Sequence, residues 1–437
     1  MGLGVTGRSV AEALLRRGTN VVALDDRVDS ALTAWADERQ LTVTAPGHNF
    51  AELANADAVL PAPGLPEAHP IFEAARSANV PILSEFDLAA AWDSRPVVAV
   101  TGTDGKTTVV TLITEMLNRS GVSAAAVGNT DEPWVSAIDE SATKVFVVEA
   151  SSFRLGHSQR FAPDVGVWLN FGQDHLDAHD SLASYRDAKA SIWAHLDSSG
   201  LALANRDDTV VAECAARFAA TSPAAFETFG LGGDGEHRVS DAAIVVGGVD
   251  LVAIGELTRR LPHDLTNGLA ASVAALRMGA DRDACATTLR EFSGLRHRVE
   301  TIANQHGVQW VNDSKATTPH AACAAIASFD RVVLIAGGQN KGLSFEALTQ
   351  LKDHLVHVIA IGTAADEIEA VFSGIVPTTR AAAMADAVTI AADLASDGDV
   401  VLLSPACASF DAYRNYGERG DDFVALVRAR TTLGGHQ

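Results

Sequence analysis

Short runs of consecutive apolar residues, many of them β-branched, recur along most of the chain, and alanine-rich stretches separate them. Apolar runs without polar alternation are typical of strands that are buried on both faces, as in a parallel sheet covered by helices. Strands that alternate with helices define the α/β class. The predicted strands include residues 20–26, 96–102, 144–151, 164–170, 331–338, 357–362 and 399–405.

The length of 437 residues is too great for one hydrophobic core and favours about three domains. One boundary is indicated by SRPVV (94–98), where a proline precedes a strand, and a second by Gly294, where a helical pattern ends. The stretch 205–265 is richer in glycine, which predicts a β-containing insertion in the middle domain. The predicted domains are residues 1–94, 95–295 and 296–437.

Charge and composition exclude several classes of protein. The formal net charge of −22 argues against nucleic acid or an anionic membrane surface as a general partner, because both would repel the chain. No apolar run approaches the roughly 20 residues that span a bilayer, and the first residues do not form a signal peptide. The four cysteines are scattered without CxxC spacing, which favours free thiols in a reducing cytoplasm.

The strongest local motif is VTGTDGKTT (100–108), which follows a predicted strand and precedes a helical pattern. Backbone amides of such a glycine turn, at the positive end of a helix, bind phosphate. Lys106 is predicted to reach the β- and γ-phosphates of ATP, and the Thr107 hydroxyl to bind Mg²⁺. The full Walker spacing is not met, because Val100 stands five residues before Gly105. A simple left-handed turn between strand and helix is the alternative.

This loop resembles the GTNGK[ST]T loop of the Mur ligases and folylpolyglutamate synthases, with Asp104 in place of the usual asparagine. Six further segments resemble Mur ligase motifs and follow in the family's order: GNT (128–130), VEASSFRL (148–155; ELSSFQL in the family), LNFGQDHLDAH (169–179), YRDAKASI (185–192), LTNGLAA (265–271) and GLRHRVE (294–300). In LTNGLAA, Leu265 and Thr266 replace the family's histidine and first asparagine. The chain is therefore identified as a member of the Mur ligase family.

The resemblance implies a Rossmann-like N-terminal domain, a central P-loop-type ATPase domain and a C-terminal Rossmann-like domain. The implied ATP-binding residues are Gly102, Thr103, Asp104, Gly105, Lys106, Thr107, Thr108, Asn267, Arg298 and Asp313. The implied catalytic residues are Lys106, Asn129, His175, Lys189 and Lys315. The implied ligands of two Mg²⁺ ions are Thr107, Glu149, His175 and Lys189, the last as a carbamylated lysine. An ordinary lysine paired with Asp187 or Asp177 is the alternative for Lys189.

The first residues carry Gly2-x-Gly4-x-x-Gly7, which by itself is a weak dinucleotide-binding fingerprint. The resemblance implies that this turn binds a UDP diphosphate and that PAPGLPEAHP (61–70) is a second loop of the same site. The implied UDP-substrate residues are Gly4, Thr6, Gly7, Asp25, Gly64 and Asn129. The strand expected before Gly2 is absent, so the given sequence begins inside this glycine turn.

Three C-terminal segments resemble those of the D-glutamate-adding members of the family: VNDSKATTPHAA (311–322), AGGQNKG (336–342) and LLSPACASFDAYRNYGERGDDF (402–423). Strand ends followed by Ser, Thr and Lys meet at the carboxyl edge of a parallel sheet, where ligands bind. The implied amino-acid-binding residues are Thr317, Lys341, Ser409, Phe410 and Tyr416. The alternative is that these segments form only a helix N-cap cluster and a packed turn.

The resemblance implies a cytoplasmic, monomeric ligase that uses ATP to join D-glutamate to UDP-N-acetylmuramoyl-L-alanine through an acyl phosphate, in peptidoglycan precursor synthesis. Two alternatives stay open. A folylpolyglutamate synthase is disfavoured by the UDP turn and by SPACAS (404–409). A catalytically silent nucleotide-binding subunit is disfavoured because it would not need Lys106, Glu149, His175 and Lys189 together.

Overall fold

The computed structural model describes residues 1–47, 50–130, 132–174 and 178–433, with side chains to residue 430. It divides into two compact units, one formed by residues 1–260 and 264–292 and the other by 261–263 and 293–437. The α/β class predicted from the alternating pattern is confirmed. The predicted boundary at residue 94 falls inside the first unit and stays a prediction.

Most of the predicted strands are present within one or two residues of their expected ends. The strands are β1 Ala23–Leu24, β2 Val43–Thr44, β3 Val97–Thr101, β4 Ala124–Gly128, β5 Val145–Glu149, β6 Val165–Trp168, β7 Leu201–Asn205, β8 Ala225–Leu231, β9 His237–Val239, β10 Ala243–Val246, β11 Val249–Ala253, β12 Glu300–Gln305, β13 Val308–Asn312, β14 Val332–Gly337, β15 Leu355–Ile361, β16 Thr378–Arg380 and β17 Val400–Leu403. The predicted strand at 20–26 is shorter than expected, since β1 has two residues.

Helices follow most strands, as the alanine-rich stretches predict. The α-helices are α1 Val5–Arg16, α2 Ser30–Asp37, α3 Pro70–Ser77, α4 Glu85–Trp92, α5 Lys106–Arg119, α6 Trp134–Ala137, α7 Ser152–Leu155, α8 Leu182–Ala190, α9 Thr209–Ala219, α10 Pro262–Arg277, α11 Arg282–Glu291, α12 Pro319–Ile326, α13 Glu346–Thr349, α14 Ala365–Phe372, α15 Met384–Leu394 and α16 Tyr416–Leu433. Short 3-10 helices occupy Ala51–Asn55, Ser191–Trp193, Ile254–Glu256 and Lys352–His354. Within the described ranges, no helix is both long and apolar enough to cross a bilayer.

The large sheet of the first unit has the strand order β11-β10-β9-β8-β7-β6-β3-β5-β4 among the described residues. Strands β3 to β9 pair in parallel, and β10 and β11 add an antiparallel edge. Val98 and Val100 pack into one core, while Val97 and Ala99 pack into a second core on the opposite face. This two-sided burial explains the uninterrupted apolar run. The β-rich character predicted for 205–265 is confirmed, since β8 to β11 lie there.

The first residues lie beside the small parallel sheet that β1 and β2 form. The Gly2 backbone N–H donates to the Leu24 carbonyl at 2.8 Å, and the Met1 carbonyl accepts from the Ala62 N–H at 2.7 Å. In the described part of this region the sheet has two strands of two residues each.

The sheet of the second unit has the order β12-β13-β17-β14-β15-β16 in the part of the chain that the structure describes. All neighbours pair in parallel except β12 and β13. Leu334 faces one hydrophobic core and Val333 the other, so helices cover both sides. Because β13, β17 and β14 are neighbours, the three C-terminal segments singled out in the sequence begin at one edge of this sheet.

Candidate active site

The phosphate loop joins the end of β3 to the start of α5, as predicted. Gly105 is the residue before the first turn of α5 and has a φ of +83°. A Cβ at this position would lie 2.7 Å from the Asn267 Oδ1 atom. The left-handed backbone therefore favours glycine at position 105, and a side chain there would also displace the amide of Asn267, which the family resemblance places near the nucleotide.

Asn170 holds the backbone of this loop. Its Oδ1 atom accepts from the Thr103 N–H at 3.0 Å and the Asp104 N–H at 2.9 Å, and its Nδ2 atom donates to the Asp104 carbonyl at 3.1 Å. Asn170 was not predicted from the sequence, although its place in the LNFGQDHLDAH segment (169–179) was an available signal. The buried Thr103 hydroxyl donates to the Gly172 carbonyl at 3.1 Å, which ties the loop to the same segment.

Three predicted site residues from three segments meet beside the loop. The Thr107 hydroxyl donates to Glu149 Oε2 at 2.7 Å, and Asn129 Nδ2 donates to Glu149 Oε1 at 3.1 Å. Glu149 is the last residue of β5 and is 4% exposed. A hydroxyl and a carboxylate are the hard oxygen donors that Mg²⁺ prefers, so this pair fits one magnesium ion. Thr108 lies one residue further along α5.

Two lysine side chains converge on the loop carbonyls. Lys106 Nζ donates to the Gly102 and Thr103 carbonyls at 2.8 Å each, and Lys189 Nζ donates to the Gly102 carbonyl at 2.7 Å. Lys189 is 2% exposed, and its Nζ atom lies 4.5 Å from the centre of the Tyr185 ring. Burial, and next the nearby charge of Lys106, lower the pKa of Lys189 well below its ordinary value.

The alternative pairing of Lys189 with Asp187 is wrong. The Asp187 carboxylate accepts from Arg186 Nε at 2.8 Å and is largely exposed, whereas Lys189 points into the protein. The predicted ligand His175 and the other alternative partner, Asp177, lie outside the described residues. In the ranges that are described, no group of three or more His, Cys, Asp or Glu side chains is arranged to hold a metal ion.

The N-terminal glycine turn is built as its spacing predicts. A Cβ at Gly7 would lie 1.9 Å from the Gly2 carbonyl oxygen, so glycine is required there. Gly4 is the residue before α1, and its neighbours therefore offer backbone amides at a helix N-terminus. Asp25 accepts from the Leu3 N–H at 2.6 Å and the Arg27 N–H at 2.9 Å, so its carboxylate holds this turn.

The second predicted UDP loop lies against the same turn. A Cβ at Gly2 would lie 2.7 Å from the Ala62 Cβ atom, and Gly64 has a φ of +81°. The Thr6 hydroxyl accepts from Arg154 Nη2 at 2.8 Å, and Asn129 Oδ1 accepts from Arg154 Nη1 at 3.1 Å. Thr6 and Asn129, two of the residues assigned to the UDP substrate, therefore both accept hydrogen bonds from the guanidinium of Arg154.

In the second unit, Asp313 ties the ends of two neighbouring strands together. The Ser404 hydroxyl donates to Asp313 Oδ2 at 2.8 Å, and the Val299 N–H donates to Oδ1 at 3.2 Å. Arg298, which is half-buried, precedes Val299 in a segment with positive φ at Val299. The Lys315 N–H donates to the His297 carbonyl at 3.0 Å. The GLRHRVE and NDSKAT segments therefore lie together.

The residues assigned to the amino acid lie in loops at this edge of the sheet, except for Tyr416, which is the first residue of α16. Lys315 Nζ lies 3.8 Å from the centre of the Tyr416 ring, and the Thr317 N–H donates to the Lys315 carbonyl at 2.8 Å. Reciprocal bonds between the backbones of Gln339 and Ala408, at 2.8 and 3.0 Å, join the loop that contains Lys341 to the loop that contains Ser409. Ser409 is buried, Lys341 is half-buried and Phe410 is 68% exposed.

A buried arginine that the sequence analysis missed fixes two of these loops. Arg419 is 1% exposed; its Nε and Nη2 atoms donate to the Ser314 hydroxyl and carbonyl at 3.0 and 2.7 Å. Its Nη1 atom donates to the Cys407 and Ala408 carbonyls at 3.1 and 3.3 Å. Burial lowers the pKa of Arg419 to about 10. Arg419 could have been identified in the sequence from the Arg-Gly pair of the 402–423 segment.

The chain belongs to the Mur ligase family, whose domain descriptions match it along most of its length. Residues 1–84 match the Mur ligase MurD-like N-terminal domain, residues 100–260 the Mur ligase middle domain, and residues 297–407 the Mur ligase glutamate ligase domain. The resemblance seen in the sequence motifs is therefore confirmed, together with the three-domain α/β architecture.

Curated relatives cover nearly the whole chain and share one name, UDP-N-acetylmuramoylalanine–D-glutamate ligase. That of Frankia casuarinae is 38% identical over 98% of this chain and 93% of the relative. Those of Geobacter metallireducens and Desulfosudis oleivorans are 36% and 35% identical, over 99% and 98% of this chain and 97% and 95% of the relatives.

Solved structures show the same fold. A pseudomurein peptide ligase type C from Methanothermus fervidus superposes with a TM-score of 0.63 at 16% identity, covering 98% of each chain. UDP-N-acetylmuramate–alanine ligase from Thermotoga maritima superposes with a TM-score of 0.60 at 18% identity, also covering 98% of each chain.

Proposed function

We propose that this Mur ligase joins D-glutamate to UDP-N-acetylmuramoyl-L-alanine at the expense of ATP, through an acyl phosphate, in peptidoglycan precursor synthesis. The observation that carries the proposal is the similarity, over nearly the full length, to relatives with this activity in their name. ATP and a UDP-linked sugar are cytoplasmic metabolites, so the proposal includes a cytoplasmic location. It also includes action as a monomer.

The first chemical step makes a poor electrophile reactive. The substrate carboxylate attacks the γ-phosphorus of ATP, ADP leaves, and the carboxyl oxygen becomes part of a good leaving group. This transfer calls for positioning and charge neutralisation more than for acid–base chemistry. Asn170 fixes the conformation of the phosphate loop. The other amides of this loop and Lys106 would supply hydrogen-bond donors and positive charge to the phosphates.

Two Mg²⁺ ions belong to the proposal. When bound, they offset the negative charge of the phosphate oxygens. Thr107 and Glu149 would hold one ion, and His175 and a carbamylated Lys189 the other. The burial of Lys189 and its lowered pKa support this role, because the neutral amine that adds CO₂ is then available.

The second step uses the amine of D-glutamate, which attacks the acyl phosphate and releases phosphate. Thr317 and Lys341 would hold the α-carboxylate, and Ser409 with the Phe410 backbone, near Tyr416, the side-chain carboxylate. The bonds that join the two loops at Gln339 and Ala408 support a single site for both carboxylates. Lys315 would face the reaction centre, and Arg298 and Asp313 the nucleotide.

The test is phosphate release with ATP and UDP-N-acetylmuramoyl-L-alanine, comparing D-glutamate with L-glutamate, L-lysine and meso-diaminopimelate. D-glutamate should be the good acceptor. Equal turnover with L-lysine or diaminopimelate would contradict the D-glutamate assignment within the family. Turnover of L-glutamate on a folate instead of the UDP substrate would favour the folylpolyglutamate synthase alternative.

A further inference from the structure

Arg154 stands where the family segment ELSSFQL has glutamine, and its side chain reaches three separate parts of the first unit. Its Nε atom donates to Glu85 Oε2 at 2.9 Å, at the start of α4. Its Nη2 atom donates to the Thr6 hydroxyl at 2.8 Å, and its Nη1 atom donates to Asn129 Oδ1 at 3.1 Å. One planar group therefore links the N-terminal glycine turn to the end of β4.

The charge of Arg154 is neutralised inside the protein. The side chains of Arg154 and Glu85 are 4% and 2% exposed, so the ion pair is shielded from solvent. The other Glu85 oxygen accepts from the Val135 N–H at 3.3 Å, which fixes the carboxylate from a second side. A guanidinium that is buried and paired in this way offers little surface to a substrate anion. Its effect on the site is therefore geometric.

Arg154 determines which way the Asn129 amide faces. A guanidinium has only donors and an ionised carboxylate only acceptors. Asn129 must therefore turn its Oδ1 atom to Arg154 and its Nδ2 atom to Glu149, as the distances of 3.1 Å on both sides show. The opposite orientation would place donor against donor and acceptor against acceptor. Glu149 in turn accepts from Thr107, at the start of α5.

A continuous series of hydrogen bonds thus runs from Thr6 through Arg154, Asn129 and Glu149 to Thr107. We infer that Arg154 is a positioning residue that couples binding of the UDP substrate at the glycine turn to binding of the nucleotide at the phosphate loop. This inference rests on the proposed function for the identity of the two ligands. Because coupling is reciprocal, each ligand tightens binding of the other by the same factor.

Glutamine could not replace Arg154 in this role without loss. Its terminal amide has one nitrogen and one oxygen, whereas the guanidinium presents donors on three nitrogens in a rigid fork. A glutamine at this position would satisfy Thr6 or Asn129 but not both together with Glu85. The structure therefore assigns the coupling to a residue in which this chain departs from the family segment.

The experiment measures the affinity for UDP-N-acetylmuramoyl-L-alanine by calorimetry, with and without a non-hydrolysable magnesium ATP analogue. For the wild type we expect the analogue to lower the Kd by about 5-fold or more, the lower range of typical coupling. The test variant is Arg154→Gln with Glu85→Gln, since removing Arg154 alone would leave a buried unpaired carboxylate. In this variant the ratio of the Kd without the analogue to the Kd with it should fall to about 1. Melting curves check that the variant is folded.

Thr6→Val and Thr6→Ser provide a second test that leaves the Arg154–Glu85 pair in place. The valine removes the acceptor for Arg154 Nη2 and should abolish the coupling, while the serine keeps the hydroxyl and should preserve it. The matched control is Arg95→Gln with Asp93→Asn, an ion pair in the same unit whose arginine also donates to the Ile138 carbonyl. In this control the analogue should lower the Kd of the UDP substrate by the same factor as in the wild type.

The inference is overturned if the wild type binds both ligands without coupling, or if the coupling persists in the Arg154→Gln, Glu85→Gln variant. Equal loss of coupling in the Arg95 control would also overturn it, because the effect would then be a general loosening of the unit. A wild type that neither binds the UDP substrate nor releases phosphate with D-glutamate contradicts the proposed function itself. Wild-type ligase activity without coupling contradicts only the role of Arg154.

Discussion

Lys189 Nζ and the carbonyl oxygen of Gly102 lie 2.7 Å apart, although the two residues are 87 positions apart in the chain. Lys106 Nζ contacts the same carbonyl at 2.8 Å. Burial, and next the nearby charge of Lys106, lower the pKa of Lys189 well below its ordinary value. This contact motivates the first prediction.

Lys189→Ala should be nearly inactive in phosphate release, because the proposed carbamate ligand of the second magnesium ion is lost. Short-chain carboxylates at millimolar concentration should partly restore the activity, since they supply an anionic oxygen donor. Removing bicarbonate from the buffer should lower wild-type activity.

The control for this prediction is Lys144→Ala, an exposed lysine of the same unit, which should behave like the wild type. If Lys189→Ala retains full activity, the lysine is structural and other groups hold the second ion.

Lys106→Ala should lower kcat by roughly 10²-fold or more, the effect of deleting one preorganised electrostatic contact with the transferring phosphoryl group. The Kd of the UDP substrate should be nearly unchanged, because the glycine turn near Thr6 does not include this lysine. Steady-state kinetics and calorimetry check the two parts. Retention of most of the activity would show that the loop at 100–108 is not the catalytic one.

Asn170→Ala should weaken ATP binding by about 10-fold, which corresponds to the roughly 1.4 kcal/mol expected when the N–H groups of Thr103 and Asp104 lose their acceptor. The effect should appear in the KM for ATP and not in the KM for D-glutamate. Asn205→Ala is the control, since Asn205 is a buried asparagine of the same unit whose side chain likewise bonds backbone, donating to the Leu169 carbonyl at 2.8 Å. A similar rise in the KM for ATP in both variants would contradict a specific role for Asn170.

Arg419→Lys should raise the KM for D-glutamate by about 10-fold, because lysine keeps the charge but cannot bond Ser314 and the Cys407 carbonyl through separate nitrogens. The KM for ATP should change little. Arg419→Met should also lower the free energy of unfolding by about 3 kcal/mol, since several buried acceptors lose a charged donor. An unchanged KM for D-glutamate in a folded Arg419→Lys variant would mean that the two loops keep their conformation without the guanidinium of Arg419.

Local patterns were sufficient for much of the fold and part of the site. The apolar runs predicted β3, β5 and β14 because burial on both faces of a parallel sheet leaves no polar alternation. The phosphate loop could be predicted because a glycine turn between a strand and a helix is contained in nine consecutive residues. Motif order then indicated Lys106, Glu149 and Lys189, which lie around that loop in the structure.

The residues that hold the site together depended on tertiary structure. Asn170 reaches Asp104 across 66 positions because β6 is the neighbour of β3, and no local pattern specifies that strand order. Arg154 reaches Thr6 across 148 positions, and Arg419 reaches Ser314 across 105. The sequence by itself determined the strands, the helices and the glycine turns, since each depends on neighbouring residues. Only the tertiary structure decided which buried polar groups meet, because that depends on strand order and side-chain direction across distant segments.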